Sequence, residues 1–212
     1  MIEIPQGASI EGRRKVFCAQ IMPRDNQLSG QGTSGAAAAP ALDRSALERQ
    51  LTNAGSPEQC SAELSRIFGV RSDEIALLRL ENGLLKFLFP TELASAGSIP
   101  ISSSTAVAAH TATTKKVELF NNFTRVKHAS IFETIKPSGD KPEEEALRPA
   151  TIHKLMSAPV LDRADKVLGV IQVSHKGFDL FSAGPDFTLD DLQRLELAAK
   201  ALAQVGFMRV GQ

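Results

Sequence analysis

Two rhythms of apolar residues run along this chain, one near the 3.6-residue helical period and one of period 2, and the changes between them mark the elements. Leu47 and Leu51 lie one helical turn apart behind Asp43 and Ser45, either of which serves as an N-cap, and Asn53-Ala54-Gly55 ends that helix. Ser56-Pro57 opens a second helix through Cys60, Leu64, Ile67 and Phe68, stopped by Gly69. The pattern then changes. Glu74 to Leu80 and Leu84 to Phe89 are apolar runs joined by Asn82-Gly83, a dipeptide that accepts the positive φ angles of a type I′ turn, so they predict a β-hairpin. Past Pro90, a loop leads to Ile99-Pro100-Ile101, and Ser102-Ser103-Ser104 offers caps to a small-residue helix from Thr105 to about Thr113. Val117 to Phe120 reads as a short strand, Ala129 to Ile135 as a short helix, and Pro137 to Pro149, with Glu143-Glu144-Glu145, as a charged loop.

The second half carries a longer hairpin. Ile152 to Leu161 and Val167 to His175 flank Arg163-Ala164-Asp165 and are apolar on both faces in their middle, the mark of strands with neighbours on both sides. Thr188-Leu189-Asp190-Asp191 has an acid three residues after a hydroxyl cap, and Leu192, Leu195, Ala199, Leu202 and Val205 follow at helical spacing, predicting a terminal amphipathic helix. All strand pairs with a clear turn are antiparallel, and helices gather at both ends. The order predicts an α+β domain, with a central antiparallel sheet of about five or six strands and helices on both faces.

Composition narrows the function classes. Across 212 residues, 24 Lys plus Arg balance 24 Asp plus Glu, so no overall field favours nucleic acid or an anionic membrane. Tyr and Trp are both absent, which leaves Phe for any stacking. Cys18 and Cys60 are too few for a disulfide framework and have no metal-type spacing. No run approaches the roughly 20 apolar residues of a membrane span, and the N-terminus lacks a secretory order, so the expectation is a cytoplasmic protein with no membrane partner. Ser29 to Ala41 is small-residue low complexity, so residues 1–42 divide off as a flexible N-terminal segment and linker, with residues 43–212 the folded domain.

The early hairpin Ile75-Ala76-Leu77-Leu78-Arg79-Leu80 to Leu85-Lys86-Phe87-Leu88, the Ile99-Pro100-Ile101 entry to a small-residue helix, and Ser157-Ala158-Pro159-Val160 to Val167-Leu168-Gly169-Val170-Ile171-Gln172-Val173, closed by Phe187-Thr188-Leu189-Asp190-Asp191, come in a persuasive order. Together they resemble the GAF domain family over residues 43–206. In the last block, Pro159 enters a central strand and Gly169 permits close packing of the facing strand. The resemblance implies terminal helices on one sheet face and a small-molecule pocket on the other, walled by Ser102 to His110, Asn121 to Phe132 and the inward side of the second hairpin. It also implies a non-catalytic sensory module that forms a homodimer through terminal helices or acts on a signalling partner protein. No output domain is visible after the terminal helix. The alternative is a degenerate scaffold or dimerisation domain that binds no small molecule.

Departures from the family restrict the ligand. Asn121-Asn122-Phe123-Thr124-Arg125, with Lys127 and His128, does not reproduce the family's cyclic-nucleotide signature. Cys60 on an early helix and Cys18 before the linker do not suit bilin attachment, and residues 61–212 hold no cysteine for the family's free methionine sulfoxide reductase chemistry. No Gly-rich phosphate loop and no nucleophile elbow occur, so the expectation is a protein that is not an enzyme.

The candidate ligand-binding residues are Ser103, Ser104, Asn121, Asn122, His128 and Phe132. The serines at a helix start either hold an anion with free backbone N–H groups or are ordinary caps. The asparagines read a ligand's hydrogen bonds or make a turn. His128 offers a hydrogen bond or haem ligation, or is a solvated histidine, and Phe132 is pocket wall or core. A three-residue loop in the second hairpin puts His153 opposite His175, a two-residue loop does not, and neither arrangement has a carboxylate or cysteine spaced to complete a metal set.

Overall fold

The structure is a computed structural model and describes residues 44–95, 97–123 and 150–209. Its elements are helices α1 (Arg44–Thr52) and α2 (Pro57–Phe68), a 3-10 turn (Ser72–Glu74), strands β1 (Ile75–Glu81) and β2 (Leu84–Phe89), α3 (Thr91–Ala94), β3 (Ser98–Pro100), α4 (Val107–Thr114), β4 (Glu118–Phe120), β5 (Thr151–Leu161), β6 (Val167–Gly177), α5 (Leu189–Leu202) and α6 (Gly206–Arg209). The six strands form one sheet in the order β3-β2-β1-β6-β5-β4, with every neighbour antiparallel. The expected α+β architecture is therefore found, at the upper end of the expected strand number.

Local chemistry explains several boundaries. Ser56 accepts a hydrogen bond from the Gln59 backbone N–H with Pro57 in the first turn, and Gly69 closes α2 at φ 64°. Asn82 and Gly83 take φ 50° and 78°, the left-handed pair that a two-residue hairpin needs. Thr188 and Asp191 form the reciprocal capping box at the start of α5. The expected loop after Pro90 instead holds α3 and leads into β3, several strand ends move by one or two residues, and two helix boundaries also differ from expectation. Helix α4 begins at Val107 with Ala106 at its cap and no side-chain cap, so the serine cluster lies in the turn before it. Helix α5 stops at Leu202, and Val205 lies in the turn leading to α6. The expected helix over 129–135, the charged loop over 137–149 and the N-terminal segment lie outside the described residues.

The two hairpins meet along β1 and β6, which makes β6 a central strand with all eleven positions buried. Gly169 sits at that seam opposite Arg79. A Cβ there would lie 2.0 Å from the Leu78 carbonyl oxygen and 2.7 Å from Met208 Cε, so the close approach requires glycine. One sheet face packs on α1, α2 and α5 through Leu51, Leu64, Leu77, Met156, Ile171 and Leu195. The other packs on α4 through Leu78, Leu85, Leu155 and Val170 against Val107, Ala108 and Ala112. Among the described residues, no helix is long and apolar enough to cross a membrane.

The second hairpin closes as a three-residue loop, with Asp162 N–H bonded to the Lys166 carbonyl at 2.9 Å and Leu161 opposite Val167. Leu168 is then an extra residue on β6, and His153 is an extra residue on β5. Both are β-bulges, and between them the register is shifted by one. Lys154, not His153, therefore faces His175, and the two-histidine juxtaposition that an unbulged three-residue hairpin would give does not form.

Candidate functional site

The layer between α4 and the sheet is apolar at its ends and polar in its middle. On β5 and β6, Ser157 stands opposite Gln172, and Ser174 is two residues along the same face; all three are buried. Thr111 of α4, also buried, lies with its hydroxyl 2.7 Å from Glu118 Oε2 and 2.8 Å from Ser157 Oγ. With one hydroxyl hydrogen, Thr111 donates to the carboxylate, so the contact with Ser157 runs the other way. Gln172 Nε2 approaches Ser157 Oγ at 3.5 Å. On the outer side, His110 Nδ1 lies 2.8 Å from Glu118 Oε1. A continuous polar band thus runs from the α4 surface to the centre of the sheet, and low surrounding dielectric strengthens each of its bonds.

A second polar group lies at the open end of the long hairpin. The Lys176 ammonium is buried and donates to the Asp73 carbonyl at 2.6 Å, with Asp73 Oδ2 at 3.8 Å. Burial pushes its pKa below the usual lysine value, opposed by the charges of Asp73 and Glu74. The Lys176 backbone N–H donates to Glu74 Oε1 at 2.6 Å, and Ser174 donates to the Glu74 carbonyl at 3.1 Å, so this carboxyl-bearing turn is clamped to β6. Lys154 donates to the Gly184 carbonyl at 2.5 Å and pairs with Asp186 at 2.8 Å, while the His175 ring stacks on Phe187. His153 Nε2 is 3.1 Å from Thr151 Oγ1, and its Nδ1 is buried without a partner among the described residues.

Of the candidate ligand residues that are described, Ser103 and Ser104 precede α4 and Asn121 and Asn122 follow β4. Ser103 is half-buried and its Oγ accepts from the Thr105 backbone N–H at 3.4 Å, while Ser104 is exposed. Asn121 donates from Nδ2 to the Phe187 carbonyl and accepts on Oδ1 from the Phe187 N–H, both at 2.9 Å, which commits its amide to a bracket across 66 residues of chain. Asn122 is half-buried and also engaged. His128 and Phe132 lie outside the described residues. Phe123 is buried, edge-on to Phe120 at 6.1 Å between ring centroids. The polar band was not anticipated, although its signal was present: Ser157, Gln172 and Ser174 interrupt an otherwise apolar hairpin at alternating positions.

Cys60 is buried in α2, where desolvation, with the Glu63 charge adding to it, pushes its thiol up to about 12. Such a thiol is not a nucleophile. Among the described residues, no group of three or more His, Cys, Asp or Glu is arranged to hold a metal ion.

Solved structures share this architecture. The GAF domain of an Acinetobacter phosphoenolpyruvate-protein phosphotransferase matches with a TM-score of 0.53 at 14% identity, over 76% of this chain and 87% of that one. The GAF domain of a phosphoenolpyruvate-protein phosphotransferase from Coxiella burnetii matches with a TM-score of 0.52 at 11% identity, over 78% and 93%. At such identities the likeness concerns the fold. No curated protein matches the chain in sequence. The family model of the GAF domain matches residues 58–205, well over half the chain and spanning both hairpins and α5, and the chain therefore belongs to the GAF domain family.

Proposed function

We propose that this GAF domain is a non-catalytic small-molecule sensor whose ligand side is the layer between α4 and the β5–β6 hairpin. The supporting observation is the buried chain Thr111–Ser157–Gln172, with Glu118 at its outer end. Burying hydroxyls and an amide costs free energy that an all-apolar layer avoids, and the opposite face of the same sheet is built almost wholly of aliphatic side chains. A ligand with hydrogen-bonding groups recovers that cost by exchanging its own donors and acceptors into the band.

The same reading sends the signal out through α1 and α5, which pack on one another over the far face of the sheet, to a second copy or to a partner protein. Leu47, Leu51, Leu195 and Leu202 are consumed in covering the sheet, so association uses the outward sides of these helices. Native mass spectrometry under gentle and then denaturing conditions tests ligand and assembly together. A dimer carrying an adduct that leaves on denaturation is the expected result. A species without adduct, whose melting temperature also ignores a metabolite panel, sinks the sensor and favours a scaffold that binds nothing small.

A further inference from the structure

A cleft of about 700 Å³ lies at the turn end of the long hairpin, and none of the polar-band residues lines it. Its floor is Val117, Pro159 and Leu161. Three elements wall it: the exit from α4, the Asp162–Asp165 turn, and the Glu196–Lys200 stretch of α5. Two of these walls, the α4 exit and the hairpin turn, are tied together, because Lys115 Nζ donates both to the Asp165 carbonyl and to its Oδ2 at 2.6 Å.

The cleft carries one more cation than carboxylates, and two of its cations stand outside its ion pairs. Asp165 is held by Lys115, and Glu196 pairs with Lys200 at 2.7 Å. Asp162 Oδ1 accepts from the Ala164 and Lys166 backbone N–H groups, both at 2.8 Å. Lys116 and Arg163 remain, exposed at the rim with no carboxylate partner among the described residues. With four cations against three carboxylates the lining keeps one net positive charge, and Lys116 and Arg163 make no described ion pair, so the site joins apolar side chains to cations that can meet an anionic group on an apolar body.

The backbone argues for a compact occupant rather than an added strand. Strand β4 pairs β5 only from Leu155 to Ser157, so β5 has no described neighbour on that side at Pro159 and Leu161. Pro159 has no N–H, and an edge missing a donor is a poor template for strand addition.

We propose that this cleft is a second binding site, specific for a small amphipathic anion, an aromatic or short aliphatic body bearing one phosphate or carboxylate, with Lys116 and Arg163 on the anion and Val117, Pro159 and Leu161 on the body. Its occupant touches both the central hairpin and α5, and so bridges the core to the terminal helix.

Titration of the full chain with phenyl phosphate, followed by amide NMR shifts, tests this. Saturable shifts at Val117, Leu161 to Lys166, Glu196 and Lys200 are expected, with inorganic phosphate and benzyl alcohol each binding at least about tenfold more weakly. The K116Q/R163Q variant, at exposed positions that leave the core untouched, loses about tenfold or more in affinity, the scale of one charge-assisted hydrogen bond. Equal binding by the variant, equal binding of inorganic phosphate, or shifts confined to Thr111, Ser157 and Gln172 overturns the proposal. The sensor reading survives that failure, because it rests on Thr111, Ser157, Gln172 and Glu118, none of which lines the cleft.

Discussion

The imidazole of His175 lies flat on the ring of Phe187, with centroids 4.3 Å apart and planes 9° from parallel. The two residues come from β6 and from the loop before α5, so the stack holds that loop on the hairpin end. Gly184 lies beside the same ring, and a Cβ added there would be 3.7 Å from His175 Nδ1. Burial is the main cause that pushes the His175 pKa below its usual value; Lys154 acts in the same direction, and Glu74 and Asp191 oppose.

A depressed histidine pKa fixes the sign of the pH dependence. The unfolded chain takes up the proton first, so this contribution to stability is complete above the ordinary histidine value of about 6.5 and is lost as pH falls below it. Denaturant midpoints between pH 7.5 and 5.5 read this directly. The His175→Gln variant, which has nothing to protonate, is expected to be less stable at pH 7.5 by about 0.5–1.5 kcal/mol for the lost stack, and to show a shallower fall toward pH 5.5. Parallel slopes for the two proteins would remove His175 from the account.

Phe187 is held a second time, through its backbone, by Asn121. Asn121→Ala leaves both main-chain groups of Phe187 without these partners and is expected to cost about 1–3 kcal/mol in chemical denaturation. Asn121→Asp keeps the acceptor but sets a carboxylate oxygen against the Phe187 carbonyl, so it should not restore stability. A cost below about 0.5 kcal/mol for the alanine variant means that solvent replaces the bracket.

Sequence legibility followed the range of the determining contacts. Asn82-Gly83, Ser56-Pro57 and Thr188 with Asp191 act within four residues, and the turn and helix starts they announce are where the sequence puts them. The serine cluster misleads for the same local reason, since Ser103 satisfies the Thr105 N–H within its own turn, and the helix begins only where Val107 and Ala108 are buried. The bulges at Leu168 and His153 carry no mark in the alternation of side chains, so the pairing of His153 with His175 was not excluded in advance. The role of Asn121 depends on a partner 66 residues away, and no local pattern encodes such a distance. The polar band was visible as interruptions in the hairpin, but its closure by Thr111 needed the docking of α4.

Gly169 offers the sharpest steric test. Its Cβ position is 2.0 Å from a backbone oxygen of β1, which cannot swing aside as a flexible side-chain tip does. Gly169→Ala is expected to destabilise by about 3 kcal/mol or more, or to prevent soluble expression, by forcing the two hairpins apart. Pairing it with Met208→Ala clears only the softer contact, at 2.7 Å, and should rescue little. A G169A protein with an unchanged melting temperature would show that the seam between β1 and β6 yields.

The band itself is open to a double-mutant cycle. Thr111→Val keeps the shape of the side chain but deprives Glu118 Oε2 of a donor and Ser157 of its partner, so a loss of about 1–3 kcal/mol is expected. Ser157→Ala removes the other end of the same contact. Replacing both members of a buried hydrogen-bonded pair by apolar groups approaches neutrality, so the double variant should be more stable than the sum of the singles implies, by about 0.5–2 kcal/mol. Strict additivity in urea denaturation would mean that the two hydroxyls act separately. The same variants divide the two readings of the domain: under the sensor reading both singles also lose the thermal shift that a bound metabolite produces, whereas under the scaffold reading they change stability alone.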